Sequence, residues 1–500
     1  MADPGRVARG ARLLAWLERE GCEHCVRLGE TPGAGGVGVF ASRDVERGEV
    51  LISCPTRTVI SAAETRLDLD EGMAAFASAM DDIRVARGGS PEGDPLDDST
   101  RMQLVLLRER HIAETCSSEP TFSPLGEGKE KGEEAPPRRS GYWSPYARAL
   151  PGDELVASLP SSWSDAEIEE RLRGTSLFAE VVAERAETSS LAAALARHPD
   201  AATRFPGRAF DAPRLRWARA AFWSRAIALP LAGWGRGPQA GTGKRSATKH
   251  PKRSSGDDGA LTPLLDMCNH ARDAGTEVTT RGATWRLVAT RAFARDEEIR
   301  IDYGGKGNGE LLKRHGFVIP NNPFDTCSFQ FPAAKEECTA GGNLAFTLHR
   351  GVREWREFPP GLLEAAARRV RLERRPIDAS RDASDDDASF GTDAKETEDV
   401  KADLVALVRR ENETRDALSF LAESARRLAD AAAPTGAGRE PEAKKKRFHP
   451  DASGFATSSA FLAERACAMY RESQRSLLRD LEDLALETIK ASRDGDASSR

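Results

Sequence analysis

Apolar positions along the chain follow two periods. In MADPGRVARGARLLAWLEREG, Leu13, Leu14 and Leu17 fall at helical spacing, so the N-terminus reads as a first structural helix. Residues 35–60 change character. Val37, Val39, Val50, Ile52 and Val59 are β-formers broken at Arg47–Gly48, which predicts a strand pair. Helical patterning takes over across 164–226. Ser164 stands three residues before Glu167 in WSDAEIEERL, a capping box that starts a helix. LRWARAAFWSRAIAL (215–229) keeps the same spacing. Residues 276–303 return to strands, with Ile299, Ile301 and Tyr303 alternating up to Gly304–Gly305 and a helix expected near Asn308. Residues 360–375, 401–430 and 457–490, rich in Ala, Leu, Arg and Glu, read as helices. No internal repeat is found. The order is β, helical insert, β, then a helical C-terminal region.

Four stretches (117–140, 233–259, 376–400 and 432–455) are too poor in apolar residues to order themselves and read as disordered insertions. The basic runs Lys244–Arg253 and Lys444–Arg447 within them read as solvated loops before nuclear signals. The chain has 500 residues, room for two or three domains. Its net charge of −6, with Lys and Arg nearly balancing Asp and Glu, gives no global pull toward nucleic acid or an anionic membrane. No run approaches the ~18 apolar residues of a membrane span. The N-terminus lacks the apolar core of a signal peptide, although Arg6, Arg9 and Arg12 leave a short transit peptide open. Eight scattered Cys suit a reducing compartment, and Cys22 and Cys25 read as two buried thiols, since no second pair stands at zinc-site spacing.

Four short motifs could carry chemistry. PLLDMCNHA (263–271) holds Asp266, Cys268 and His270, all metal-ligand types, but nothing supplies further ligands at a usual spacing. It reads instead as a polar turn after a strand, with Asp266 making an Asx turn and Asn269 and His270 offering groups to a ligand. In GGVGVFA (35–41), Gly36 and Gly38 allow close backbone approach or simply a tight turn; no third Gly and no helix follow, so it is no dinucleotide fingerprint. Arg225, among apolar neighbours in WSRAIALP, either snorkels or uses its fork to bind a carboxylate or fix a loop. Tyr303, at a strand end before glycines, either points into a cleft or is a core Tyr with a satisfied hydroxyl.

In order and spacing, these motifs, with GYWSPYARALP and EEIRIDYGGKGNGELLKRHGFVIPNNPFD, resemble the SET-domain protein methyltransferases. The resemblance is to the group typified by the large-subunit Rubisco lysine methyltransferase and the actin-histidine methyltransferase. It implies an α+β fold: a knotted SET-type β fold with a helical insert, followed by an all-α substrate-binding domain. The SET domain would span 11–318, with its insert at about 142–229, and the substrate-binding domain 340–495. The implied cofactor is S-adenosyl-L-methionine. Gly36 and Gly38 match the loop along the cofactor, Arg225 a cofactor-pocket arginine, and Asn269 and His270 the pair that holds its two ends. Tyr303 matches the active-site tyrosine; Asp266 and His315 match positions bordering the substrate side chain. No metal is implied.

The expected activity is therefore methylation of a side-chain nitrogen on a protein, lysine first and histidine as the alternative. A non-catalytic SET-like binding module and a metal-dependent hydrolase are the other readings. The protein substrate would dock on the C-terminal helical domain of a monomer, with no nucleic acid or membrane required. A cytoplasmic or nuclear address fits, with a chloroplast address left open by the basic N-terminus. The chain departs from the group at Gly307–Asn308, where Ser-Asn is usual, and at His315, where relatives carry Tyr or Ser; the latter bears on acceptor identity. The 233–259 loop also separates Arg225 from Asn269 further than usual, at only ~0.6 kcal/mol per doubling of loop length.

Overall fold

A computed structural model describes residues 4–31, 36–62, 65, 97–115, 141–152, 156–197, 211–227, 259–332, 343–350, 357–373, 395–433 and 459–498. The four expected insertions lie almost wholly outside these residues. Where the two overlap, the expectation is corrected: backbone 395–400 is already helical. The chain divides into two compact units, one drawn from 1–162, 182–305 and 452–459, the other from 163–181, 306–451 and 460–500.

The first unit opens with α1 (Pro4–Arg19), whose Leu13, Trp16 and Leu17 are buried. The strands β1 (Glu23–His24), β2 (Val26–Glu30), β3 (Val37–Ala41) and β4 (Val50–Pro55) follow. Helices α2 (Asp98–Thr115) and α3 (Ser144–Ala149) come next. Later strands are β5 (Asn269–His270), β6 (Thr276–Arg281), β7 (Thr284–Ala289) and β8 (Glu298–Ile301). They form two four-stranded sheets, ordered β1-β4-β7-β6 and β2-β3-β8-β5. The expected strand pair at 35–60 is thereby corrected. Both strands exist, but β3 pairs with β2 and β8, whereas β4 pairs with β1 and β7. The connection holds Val45, which bridges Phe293, and Gly48 in the left-handed region (φ +89°). A tight hairpin would need two to five residues here. Val39, Leu51, Ile52, Trp285, Leu287 and Ile299 make the shared core.

Two further expectations are revised here. Cys22 is disulfide-bonded to Cys54, so only Cys25 of the CxxC is a thiol. The helix expected over 215–229 is Ala212–Arg225, begun by an Asp211 cap and ended at Ala226 because Ile227 bridges Ala260.

The second unit contains α4 (Asp165–Leu172), opened by the expected Ser164–Glu167 capping box. It shares α5 (Ser176–Arg197) with the first unit, which also holds α6, the Ala212–Arg225 helix. It continues with α7 (Asn308–His315), α8 (Leu362–Glu373), α9 (Lys395–Ala431) and α10 (Ser459–Ser498). The C-terminal region is helical as expected, with one addition that the all-α expectation lacks. An antiparallel hairpin joins β9 (Thr326–Pro332) to β10 (Asn343–His349), with Phe329 opposite Phe346. Its cause is a period of two: Cys327, Phe329 and Phe331 enter the core between polar Ser328 and Gln330. Among the described residues, no helix is long and apolar enough to cross a membrane.

Candidate active site

The site forms along one sheet of the first unit, where β3, β8 and the two-residue β5 lie side by side. β5 runs parallel to β8, with Asn269 opposite Arg300 and His270 opposite Ile301. Asn269 Nδ2 donates to Glu298 Oε1 at 2.7 Å and to Thr31 Oγ1 at 3.1 Å. Gly38 closes this group from β3. A Cβ there would stand 2.9 Å from both Glu298 Oε1 and Thr31 Oγ1, and 3.2 Å from Asn269 Nδ2. A Cβ at Gly36, by contrast, would meet nothing within 4 Å among the described residues.

Just past β8, Tyr303 turns back onto the PLLDMCNHA segment. Its backbone N–H donates to His270 Nδ1 at 3.2 Å, which makes Nδ1 the acceptor and puts the neutral ring's proton on Nε2. Burial lowers the His270 pKa, with Asp302 pulling the other way. The Tyr303 hydroxyl donates to the Cys268 carbonyl at 2.9 Å. Burial pushes its pKa well up, with the Arg225 charge opposing, so the phenol stays protonated at neutral pH. Burial raises the Cys268 thiol likewise.

Asp266 lies in a single 3₁₀ turn, Leu265–Met267, entered through Leu264 in the left-handed region at φ 76°. A non-glycine residue there is strained, and such strain clusters at functional sites. The expected Asx turn at Asp266 is corrected. Among the described residues it follows isolated bridges at Ala260 and Leu261 rather than a strand, and its Oδ2 instead accepts from the Tyr146 hydroxyl. The Asx turn is at Asp302, whose Oδ1 accepts from the Gly304 N–H at 2.9 Å. Asp266 Oδ1 is buried with no partner among the described residues. Burial raises the carboxyl to about 7, against the lowering effects of Arg225 and Tyr146. Arg225 does not snorkel: Nη1 donates to the Asp266 carbonyl at 2.8 Å, while buried Nε makes no bond. The fork thus fixes the turn rather than a carboxylate.

Asp266 therefore engages Tyr146, whereas the Cys268 carbonyl and His270 Nδ1 both engage Tyr303. Among the described residues, no group of three or more His, Cys, Asp and Glu side chains could hold a metal ion. His315 belongs to the second unit, at the last position of α7, with its ring 5.9 Å from that of Phe317. The remaining expected residues all fall in the first unit. Sequence reasoning missed Tyr146, Thr31 and Glu298. Tyr146 was within reach, inside GYWSPYARALP; Thr31 carries no local signal.

A sequence model of the SET domain matches residues 36–304. An actin-histidine N-methyltransferase of Canis lupus familiaris is 26% identical over 202 residues, 39% of this chain and 30% of that protein. The ribosomal lysine N-methyltransferase set11 of Schizosaccharomyces pombe is 33% identical over 63 residues, 13% of this chain and 16% of that protein. The chain thus spans less than a third of the length of these relatives. Among solved structures, Rubisco LSMT bound to sinefungin and monomethyllysine superposes with a TM-score of 0.58 at 17% identity, covering 97% of this chain and 92% of that one. Rubisco LSMT bound to AdoMet gives 0.57, also at 17%, covering 96% and 92%. These structures share the fold.

Proposed function

This chain belongs to the SET domain family, and from that premise we propose that it is an S-adenosylmethionine-dependent protein N-methyltransferase. The observation that carries the proposal is the Tyr303 hydroxyl, kept protonated by burial and seated on the Cys268 carbonyl beside the Asn269–His270 strand. The residues present fit the cofactor. Gly36 opens on space that no described residue fills within 4 Å, and Arg225 Nε is a buried donor with no partner among the described residues. The cofactor supplies an electrophilic methyl on a sulfonium. Asn269, His270, Gly36, Gly38 and Arg225 would hold it.

The chain's own residues then have two tasks. Methyl transfer is an in-line displacement, so the accepting nitrogen must be aligned and water kept away. Tyr303 and nearby main-chain carbonyls orient that nitrogen and stabilise developing positive charge. A lysine ammonium has no lone pair and must first lose its proton; a desolvated channel lowers its pKa. Asp266 borders the acceptor in this reading, and the second unit's helices would dock the substrate protein.

Lysine is our first assignment for the acceptor, supported by solved relatives bound to lysine and monomethyllysine. Histidine is the second, favoured by relatives named actin-histidine methyltransferases and by His315 in place of Tyr or Ser. The test is incubation of the pure chain with labelled cofactor and cell extract, followed by mass spectrometry of the labelled protein. N-methyllysine is expected. N-methylhistidine would select the second assignment, and absence of S-adenosylmethionine binding by calorimetry would end the enzyme reading.

A further inference from the structure

Tyr146 has no assigned role, yet it is the residue most directly engaged with Asp266. It is fully buried on α3, a helix whose start is locked. The Gly141 and Trp143 N–H groups donate to the Glu109 carboxylate at 3.0 and 2.9 Å, and Trp143 Nε1 donates to the Thr58 carbonyl at 3.1 Å. From this fixed base the Tyr146 hydroxyl donates to Asp266 Oδ2. The same carboxyl's Oδ1, also buried, has no partner among the described residues. A buried acceptor left open carries a desolvation cost unless a donor arrives. Arg225 holds the other side of Asp266 through its backbone carbonyl.

We propose that Tyr146 is a positioning residue of this site: it fixes the Asp266 carboxyl in one orientation and leaves Oδ1 to accept from an N–H of the methyl-accepting side chain. The proposal rests on the methyltransferase reading and extends it. Lysine and histidine acceptors both bring such an N–H. The groups facing Asp266 are Tyr146 on α3, Arg225 on α6, Cys268 in its own segment and Tyr303 beyond β8, with Glu298 acting on the last two. Burial keeps the Tyr146 and Tyr303 phenols and the Cys268 thiol protonated, so Arg225 is the facing charge.

The sign of the pH effect follows. A donated hydrogen bond favours the ionised carboxyl, so removing the Tyr146 hydroxyl raises the pH at which Asp266 ionises. If ionised Asp266 is the accepting form, activity rises with pH through that point, and Tyr146→Phe moves the rise upward by about one pH unit.

The chain has four tyrosines, which makes a direct test practical. In full-length protein labelled with 13C at the tyrosine ring Cζ, the Tyr146 signal is the one lost in Tyr146→Phe. It is expected to move with a midpoint near 7 and to stop moving in Asp266→Asn. If Tyr146→Phe does not fold, the wild-type signal that falls still in Asp266→Asn carries the test. In parallel, methyl transfer into the extract protein is followed against pH. Tyr146→Phe should shift the rise by about one unit, whereas Tyr142→Phe, whose hydroxyl serves Glu20 outside the site, should not. A flat Tyr146 signal or an unshifted profile in protein that binds S-adenosylmethionine overturns the positioning role alone. A moving signal in protein that binds no S-adenosylmethionine overturns the enzyme reading, and this role with it.

Discussion

Gly36 and Gly38 stand two residues apart and meet opposite surroundings. A Cβ at Gly38 would push into Glu298, Thr31 and Asn269, whereas one at Gly36 meets no atom of the described residues within 4 Å. Gly38→Ala should therefore destabilise the fold by about 1–3 kcal/mol, the usual cost of overpacking. Gly36→Ala should leave the thermal midpoint unchanged, and any loss it causes should appear only in cofactor titration. Tyr303→Phe tests the other end of the site. It deletes the hydroxyl on the Cys268 carbonyl without changing the ring. Transfer should fall on the order of a hundredfold with cofactor affinity nearly intact; a variant of full activity would remove Tyr303 from the chemistry. Tyr303, Asn269 and His270 were legible because they sit in short motifs of their own. The roles of Tyr146 and Thr31 were not, because they are set by partners far along the chain. Tyr146 meets its partner 120 residues away, and Thr31 meets Asn269 across 238.

Elements show a different balance between local and distant cause. The Ser164–Glu167 capping box was readable because every atom in it lies within three residues. The hairpin at β9 and β10 was missed although Thr326–Pro332 alternates plainly, since the surrounding composition is helical. β3 and β4 were readable as strands, but their partners were not, because periodicity carries no information on pairing. Helix ends add a third case, in Arg471 on α10. It is buried, and its guanidinium donates to the Ala432 carbonyl at 3.0 Å, the Ala433 carbonyl at 2.7 Å and the Arg171 carbonyl at 2.9 Å. Those are carbonyls at the ends of α9 and α4, which lack partners inside their own helices. Arg471→Ala leaves them unsatisfied and opens a cavity, so it should destabilise the chain by about 3 kcal/mol or more. Arg471→Lys, with no planar fork, should recover only part of that in denaturant titration.

At the scale of the whole molecule, the first unit is stitched by contacts between its beginning and its end. The Cys22–Cys54 bond closes a 32-residue separation. In oxidised protein, Cys54→Ser should lower stability by about 3–4 kcal/mol, and reductant should erase the difference from wild type. β1 and β4 pair across the same short distance, whereas Val39 on β3 pairs with Ile299 on β8, 260 positions later. That last pairing sets a clock for the newborn protein. At roughly 5–20 residues per second, the ribosome delivers β8 on the order of 13–50 s after β3. Until then β3 presents an open edge, the kind that recruits unwanted strands. The active site cannot guide the early chain, because β5 and β8 do not yet exist to form it. A nascent chain of this protein should therefore need escort until about residue 300 has emerged, and its ligand can act as a folding aid only after β8 is made.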